Sequence, residues 1–199
     1  MIEKLRIHLS QIFCVILFLL IALTDSAWET KSLLMGKFLF LGGVTLVGIA
    51  SMGRLWCSLY IAGYKTNNLV TDGPYSVSRN PLYVFSLLGA MGIGLISETL
   101  LIPALILIAF AIYYPSVIRS EEGGMKEFHG EAFESYCARV PSFFPKMSLL
   151  REPESYLTKP KVFKQHIFSA LWFIWFIGIM EFIKGLHAIH VLPTLFSIY

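Results

Sequence analysis

Charged residues are scarce in this chain of 199 amino acids, and their scarcity argues against an ordinary soluble domain. Asp, Glu, Lys and Arg make up 15% of the sequence, whereas soluble domains carry about 25%. Cysteine is also rare, because only Cys14, Cys57 and Cys137 are present, and they show neither zinc-ligand spacing nor a paired pattern. No internal repeat or low-complexity tract is evident. Hydrophobic residues, in contrast, reach 56% of the chain.

The hydrophobic residues are concentrated in five runs. A membrane-spanning helix needs about 20 apolar residues, and the first, third and fifth runs are at the short end of that range. We therefore predict an all-α, polytopic integral membrane protein with about five transmembrane helices, forming a single domain over residues 1–199. The runs are Leu9–Leu23, Leu33–Met52, Leu82–Ser97, Thr99–Val117 and Ile167–Ile183.

The basic residues predict how these spans are oriented. If the N-terminus is cytoplasmic and all five runs span, only Lys31 and Lys184 fall in outside segments, and Lys37 lies within a span. All other Lys and Arg residues then lie inside, as the positive-inside rule requires. No small-residue cleavage site follows the first run before Asp25, so we expect it to be retained. The C-terminus is predicted on the side opposite the N-terminus.

A polar segment separates the second and third runs, and its residues are typical of turns and helix starts. Asp72-Gly73-Pro74 has strong turn chemistry, because Gly permits positive φ and Pro fixes the next φ. Asn80-Pro81 predicts the start of the third helix, with Asn as the cap and Pro in the first turn. Glu98 separates the third and fourth runs, which predicts a helical hairpin. Pro103 and Pro115 are expected to kink or end the fourth span, and a separate cytoplasmic helix is expected over residues 120–133.

Two carboxylates, Glu121 and Glu122, follow the fourth run directly. A buried carboxylate needs a cationic partner, which an arginine or a bound cationic ligand can supply. Tyrosine rings nearby in the sequence would attract a ligand cation such as a sulfonium or ammonium centre. This combination suits a zwitterionic cofactor that carries a cationic centre. The candidate arginines are Arg79, Arg119 and Arg139, and the tyrosines are Tyr75, Tyr83 and Tyr136.

Three segments, in this order, resemble the isoprenylcysteine carboxyl methyltransferase family and the wider group of membrane phospholipid N-methyltransferases. The first reads Leu-Val-Thr-x-Gly-x-Tyr-x-x-x-Arg-Asn-Pro-x-Tyr over residues 69–83, and the second is Glu121-Glu122. The third reads Phe-x-Gly-x-x-Phe-x-x-Tyr-x-x-Arg-Val-Pro over residues 128–141. Each segment is weak evidence alone, whereas the three in order around an apolar hairpin are strong evidence. The motif region covers residues 67–145.

The resemblance implies S-adenosylmethionine as the methyl donor and S-adenosylhomocysteine as its product, in a cytoplasm-facing pocket. Glu121 matches the acidic residue that holds the cofactor, and a carboxylate there suits the α-ammonium group of the methionine moiety. No metal site is expected. The residues that match cofactor-binding positions of the family are Asn67, Leu69, Val70, Tyr75, Asn80, Pro81, Leu82, Tyr83, Glu121 and Glu122.

Methyl transfer from an activated sulfonium requires mainly positioning of the acceptor. We predict Arg119 and Arg139 as the residues that orient the substrate, with Tyr136 also in contact with it. The sequence departs from the family at Asn80, where relatives have His, and in an extra C-terminal span at about residues 166–184. The natural acceptor therefore need not be a prenylated protein.

The expected partners are the lipid bilayer and an amphipathic or lipid-like methyl acceptor that enters laterally from it, and no nucleic acid. Carboxyl O-methylation of an isoprenylcysteine-type thioether is the activity that the resemblance favours. Two alternatives stay open. One is N-methylation of a phospholipid or another amine, which requires prior removal of the amine proton. The other is a non-catalytic membrane scaffold that has kept the fold.

Overall fold

The computed structural model describes residues 2–62, 64 and 68–199, and its architecture is mostly helical. A 3-10 turn at Met147–Leu149 lies between the last two helices. In chain order the elements are α1 (Ile2–Leu23), β1 (Thr24–Ser26), α2 (Trp28–Lys31), α3 (Leu33–Ile61), α4 (Pro74–Val77), α5 (Pro81–Ile96), α6 (Leu101–His129), α7 (Glu131–Arg139), α8 (Pro160–Ala188) and β2 (Phe196–Ile198).

Three of the helices, α3, α6 and α8, are long and apolar enough to cross a membrane. Two further helices have shorter apolar parts, namely Gln11–Leu23 within α1 and Pro81–Ile96, which is the whole of α5. These helices coincide with the five apolar runs of the sequence. The arrangement confirms the predicted helical membrane protein, while the count of five spans and their orientation stay predictions.

Helices α3 and α5 pack closely because glycines face each other where they meet. A Cβ atom added to Gly43 would lie 2.6 Å from the carbonyl oxygen of Gly92, and one added to Gly92 would lie 2.7 Å from that of Gly43. Small residues let membrane helices approach in this way. Val47 and Ile96 are buried at this contact together with Met180 of α8. The core of the bundle therefore lies between α3, α5 and α8.

The turn between α5 and α6 confirms the predicted hairpin and contains a buried carboxylate. Glu98 has a φ of 56°, and its side chain is 1% exposed. The carboxylate binds Lys37 of α3 at 2.9 Å and Lys184 of α8 at 2.8 Å. Its backbone carbonyl accepts a hydrogen bond from Ser26 at 2.6 Å. At this end of the bundle, which we call the Glu98 end, one acidic side chain thus joins α3 and α8 to the turn between α5 and α6.

Two short strands were not predicted. β1 pairs in parallel with β2 at the Glu98 end, with Asp25 opposite Ser197. The amide of Leu101 also donates to the carbonyl of Tyr199 at 2.8 Å. Each strand has three residues, which is too short for an alternating pattern to indicate it. The final residues of the chain are fastened to the end of the bundle by these contacts.

The expectation of a separate helix over residues 120–133 was wrong. Pro115 lies inside α6, which continues to His129, so the expected separate helix over residues 120–133 is instead the last part of α6 and the start of α7. The break falls at Gly130, whose φ is 52°. Glycine is favoured where a helix ends in the left-handed region. Glu121 and Glu122 therefore lie on the same continuous helix as the fourth apolar run. We call residues 118–129 the polar extension of α6.

Candidate functional site

The motif segments meet at the end of the bundle opposite the Glu98 end, which we call the site end. The start of α5, the polar extension of α6 and helix α7 all contribute, together with residues 69–80 and 140–151. Backbone hydrogen bonds tie these segments together: the amide of Arg79 donates to the carbonyl of Pro141 at 2.9 Å, and that of Lys146 to the carbonyl of Val77 at 2.9 Å. The three segments that are far apart in the sequence thus form one site.

Arg79 and Glu122 form the central ion pair of the site. Nε and Nη2 of Arg79 donate to the two carboxylate oxygens of Glu122 at 2.9 and 3.2 Å. Nη1 donates to the carbonyls of Cys137 and Val140 at 3.1 and 2.7 Å. Bidentate arginine–carboxylate pairs are geometrically specific. One guanidinium therefore fixes the extension of α6 against the end of α7.

Asn80 and Ser142 complete the contacts of Glu122. The side-chain amide of Asn80 donates to Glu122 Oε1 and to the carbonyl of Ser142, both at 3.0 Å. The hydroxyl of Ser142 donates to the same carboxylate oxygen at 3.0 Å. Asn80 precedes Pro81 at the start of α5 as predicted, but its side chain makes no capping hydrogen bond. Its amide braces the carboxylate instead.

The ion pair shifts the pKa of both partners toward the charged state. Burial opposes ionisation of Glu122, which lies on the polar extension of α6, but hydrogen bonds from Arg79 and Ser142 outweigh it and lower the pKa of the carboxyl. Burial likewise opposes the charge on Arg79, whereas its contact with Glu122 raises the pKa of the guanidinium. Opposite charges and hydrogen bonds to the charged form act in this direction. Glu122 is therefore ionised and holds Arg79, Asn80 and Ser142 around it.

Glu121 occupies a different environment from its neighbour. Its carboxylate accepts a hydrogen bond from the hydroxyl of Tyr83 at 2.7 Å, and the residue is exposed. The ring of Tyr83 meets that of Tyr114 edge to face, with centroids 5.1 Å apart. An oriented carboxylate on the surface of the site, beside aromatic rings, is suited to receive a cationic group. The two adjacent glutamates therefore have separate roles.

Tyr75 and Tyr136 connect α4 to α7. The hydroxyl of Tyr136 donates to the backbone carbonyl of Tyr75 at 2.7 Å. Burial raises the pKa of both phenols, so both are neutral over the physiological range. Leu69 packs against Tyr136 and Phe133 of α7. The loop that the resemblance assigns to cofactor binding is thus held by α7 through packing and one hydrogen bond.

The other predicted cofactor-binding residues lie at the same end, with one exception. Val70 and Leu82 are half-buried, and Pro81 is fully buried in the first turn of α5. Asn67 lies outside the described residues. The structure therefore brings together the positions that the resemblance selected from Leu69 onward, while their contact with a cofactor stays a prediction.

The predicted substrate-orienting arginines lie on the periphery of the site. Arg119 is exposed on α6, and Arg139 is exposed on α7, where its Nε donates to the carbonyl of Ser135 in the same helix at 3.2 Å. Their predicted roles are untested by these contacts. The arginine that structures the centre is Arg79, which the sequence offered only as one of three partners for the glutamates.

Arg54, in the last part of α3, lies at a contact between helices. Its Nη1 hydrogen-bonds the hydroxyl of Ser86 on α5, and its guanidinium lies 5.5 Å from the ring centroid of Phe173 on α8. The guanidinium is thus at a junction of α3, α5 and α8. The available signal was the position of Arg54 within the last part of a long apolar helix, where ionisable residues are usually functional.

Comparison with known proteins places this helical membrane protein in a family. The family model described as phospholipid methyltransferase matches residues 31–132. The chain belongs to the phospholipid methyltransferase family. No solved structure matches the chain.

Two relatives of similar length are bacterial. The cobalt-zinc-cadmium resistance protein CzcN of Cupriavidus metallidurans is 40% identical over 156 residues, covering 78% of this chain and 72% of that protein. The nickel-cobalt-cadmium resistance protein NccN of Alcaligenes xylosoxydans xylosoxydans is 41% identical over 150 residues, covering 75% of this chain and 67% of that protein. The chain spans at least two thirds of the length of each.

A more distant relative confirms the resemblance seen in the motifs. Protein-S-isoprenylcysteine O-methyltransferase of Schizosaccharomyces pombe is 31% identical over 81 residues, covering 41% of this chain and 34% of that protein. The three ordered segments therefore indicated the correct family.

The side chains at the site end fit the cofactor that this family implies. S-Adenosylmethionine carries an ammonium group and a sulfonium centre, both cationic. Glu121 presents an exposed carboxylate oriented by Tyr83, and the ring of Tyr83 packs edge to face against that of Tyr114. Among the described residues, no group of three His, Cys, Asp or Glu side chains is placed to hold a metal ion. A carboxylate beside aromatic rings suits an organic cation.

Proposed function

We propose that this protein transfers a methyl group from S-adenosylmethionine to an amphipathic acceptor at the cytoplasmic face of the membrane. The observation that carries the proposal is the exposed carboxylate of Glu121, held by Tyr83 at 2.7 Å beside the Arg79–Glu122 ion pair. In this arrangement Glu122 is paired with Arg79, so Glu121 is the carboxylate of the two that can receive a cationic group of a ligand. Membership of the family supports the same activity.

The residues of the chain would act by binding and orienting. Glu121 would pair with the α-ammonium group of the cofactor, and Tyr83 would keep the carboxylate in place. The Arg79–Glu122 pair and Asn80 hold α5, α6 and α7 at fixed distances, which preserves the geometry that displacement requires. When bound, the cofactor supplies a methyl group on a sulfonium: the acceptor's lone pair forms the new bond to carbon while the carbon–sulfur electron pair leaves with sulfur.

The position of Arg54 favours an acceptor with an anionic group. Its guanidinium lies between three helices, near the apolar interior and on the site half of α3. A carboxylate acceptor meets such a cation favourably and needs no base, whereas an amine must first lose a proton. We therefore propose O-methylation of a lipid-like carboxylate as the principal activity, with N-methylation of an aminolipid as the second candidate.

Substitution of Arg54 would distinguish the two acceptors. With carboxylate acceptors, Arg54→Lys should raise KM about tenfold or more, since the planar fork is lost, and should leave the affinity for S-adenosylhomocysteine within about twofold. Unchanged KM for carboxylate acceptors would remove Arg54 from the proposal. Turnover of an aminolipid that increases as pH rises through the amine pKa would favour N-methylation instead.

The two resistance proteins suggest a cellular setting for the reaction. Because the chain is 40% identical to the cobalt-zinc-cadmium resistance protein over 78% of its length, we propose that its methyl transfer contributes to metal tolerance. The prediction is that a deletion strain regains growth on cobalt or cadmium with the wild-type gene but not with Glu121→Gln. Full rescue by Glu121→Gln would separate tolerance from methyl transfer.

Calorimetric titration with S-adenosylhomocysteine in nanodiscs tests the cofactor site. The wild-type protein should bind, and Glu121→Gln should weaken binding about tenfold, the value of one charge-assisted hydrogen bond. Glu127→Gln is the matched control, because Glu127 is also an exposed carboxylate on the extension of α6, and it should bind as the wild type does. No binding by the folded wild-type protein would favour the scaffold alternative.

A further inference from the structure

The segment between α7 and α8, residues 140–159, has little regular structure but is fastened at several points. We call it the connector. The carbonyl of Arg151 accepts from the amide of Gly73 at 2.8 Å, and the amide of Arg151 donates to the Ser76 hydroxyl at 2.9 Å. Closer to the C-terminal end of the connector, the hydroxyl of Tyr156 donates to the carbonyl of Tyr60 at 3.0 Å. The connector therefore lies over α4 and the last turn of α3.

The connector is hydrogen-bonded to the bundle at these points, and several of its apolar side chains are exposed. Phe144 is 82% exposed, Leu157 78%, Met147 61% and Leu150 43%. Exposed apolar residues elsewhere in the protein lie mainly on the long helices, where lipid tails cover them. These four residues do not lie on a membrane-length helix, so they need a different cover.

Exposed basic side chains lie close in sequence to these apolar residues. Over residues 140–164 the chain has five basic and two acidic residues, and the five basic residues are all exposed. Exposed apolar and basic residues together are typical of segments that bind the headgroup layer of an anionic membrane. The basic residues are Lys146, Arg151, Lys159, Lys161 and Lys164, and the acidic ones are Glu152 and Glu154.

The level of the connector in the bundle agrees with such a position. It is joined to the end of α3, and α8 begins directly after it at Pro160. Tyr60 and Tyr156 pack with ring centroids 4.6 Å apart, and Lys159 lies 5.4 Å from the ring centroid of Tyr64. Tyrosines are enriched where membrane helices leave the hydrocarbon layer. The connector is therefore placed where α3 and α8 leave the bilayer.

We propose that the connector binds the anionic headgroups of the bilayer that contains the protein, and that this binding holds the loop leading into α5 in its cofactor-binding form. The first part of this proposal follows from the exposed surface alone. The second part rests on the proposed function, and it follows because Arg151 bonds directly to Gly73 and Ser76. Anionic lipid would thus act on the cofactor site through the connector.

Photocrosslinking of the full chain in nanodiscs tests the surface. A benzophenone amino acid at position 144 or 157 should crosslink to lipid, more in discs containing phosphatidylglycerol than in pure phosphatidylcholine. The triple variant Lys146→Gln, Lys161→Gln, Lys164→Gln should remove that difference, whereas the single control Lys126→Gln, an exposed lysine paired with Glu134 on α7, should retain it. Equal yields in both lipids, or crosslinks to a protein instead of lipid, would overturn the proposal.

Titration with S-adenosylhomocysteine in the same discs tests the coupling. The wild-type protein should bind several-fold more tightly with phosphatidylglycerol present, and the triple variant should lose this gain while Lys126→Gln keeps it. Equal affinity in both lipids, with lipid crosslinking intact, would overturn the coupling. Absence of any binding alongside normal crosslinking would instead contradict the proposed function, so the two failures are distinguishable.

Discussion

The side-chain amide of Asn80 donates a hydrogen bond of 3.0 Å to the carboxylate of Glu122. Asn80 stands where the family usually has His, and the contact shows what a residue at this position does here. The amide donates to Glu122 and to the carbonyl of Ser142, and such contacts do not require a group that gains or loses a proton. The departure from the family is therefore compatible with an intact site.

Substitution of Asn80 tests this relationship. Asn80→Asp keeps the shape of the side chain but removes both amide donors and places a second carboxylate beside Glu122. We expect the free energy of unfolding to fall by about 2–3 kcal/mol, because a buried hydrogen bond is lost and a like-charge contact is added. Asn80→His retains one donor and should cost less. Thermal unfolding in detergent at neutral pH measures both, and equal stability of Asn80→Asp and the wild type would contradict the brace.

Tyr83 offers a test in which stability and ligand binding separate. Tyr83→Phe removes the hydrogen bond to Glu121 but keeps the ring contact with Tyr114. Because Glu121 is exposed, the free energy of unfolding should change by less than about 0.5 kcal/mol. The affinity for S-adenosylhomocysteine should fall about three- to tenfold, since the carboxylate is no longer oriented. Unchanged affinity in a calorimetric titration would show that Tyr83 does not orient Glu121.

The sequence predicted the membrane fold and the meeting of the three motif segments, but not the partners within the site. It offered three arginines for the glutamates, and only the fold brings Arg79 to Glu122, from 43 positions earlier in the chain. Ser142 was missed because nothing in its neighbours marks it as a donor. The contacts of Arg54 were not predicted, because they depend on how α5 and α8 pack around it. The partners of these side chains therefore depend on long-range packing, which local sequence patterns do not reveal.

At the Glu98 end, the stability of the bundle should depend on one carboxylate. Glu98→Gln keeps its shape but removes the charge shared by Lys37 and Lys184. We expect a loss of about 1–3 kcal/mol in the free energy of unfolding, because charge-assisted hydrogen bonds are lost at a buried position. Glu181→Gln is the matched control: Glu181 is 51% exposed and its oxygen is 3.7 Å from Lys184, so its loss should cost less than about 1 kcal/mol. An equal loss in the free energy of unfolding for the two variants would mean that the burial of Glu98 adds nothing to stability.

The close contact of α3 and α5 makes adjacent glycines of one helix unequal. A Cβ at Gly43 would lie 2.6 Å from the Gly92 carbonyl oxygen and 2.8 Å from the Ile96 amide nitrogen. These are backbone atoms, which cannot rotate away, so Gly43→Ala must separate the helices and should lower the free energy of unfolding by about 1–3 kcal/mol.

Gly42 supplies the matched control for that substitution. A Cβ at Gly42 meets nothing within 4 Å, and alanine is the better helix former by about 1 kcal/mol. Gly42→Ala should therefore unfold at the same temperature as the wild type or slightly higher, while Gly43→Ala unfolds at a lower one. Because α5 begins with Asn80-Pro81, separation of α3 from α5 should also weaken binding of S-adenosylhomocysteine at the site end. If Gly43→Ala and Gly42→Ala prove equally stable, the two helices do not pack as closely as described.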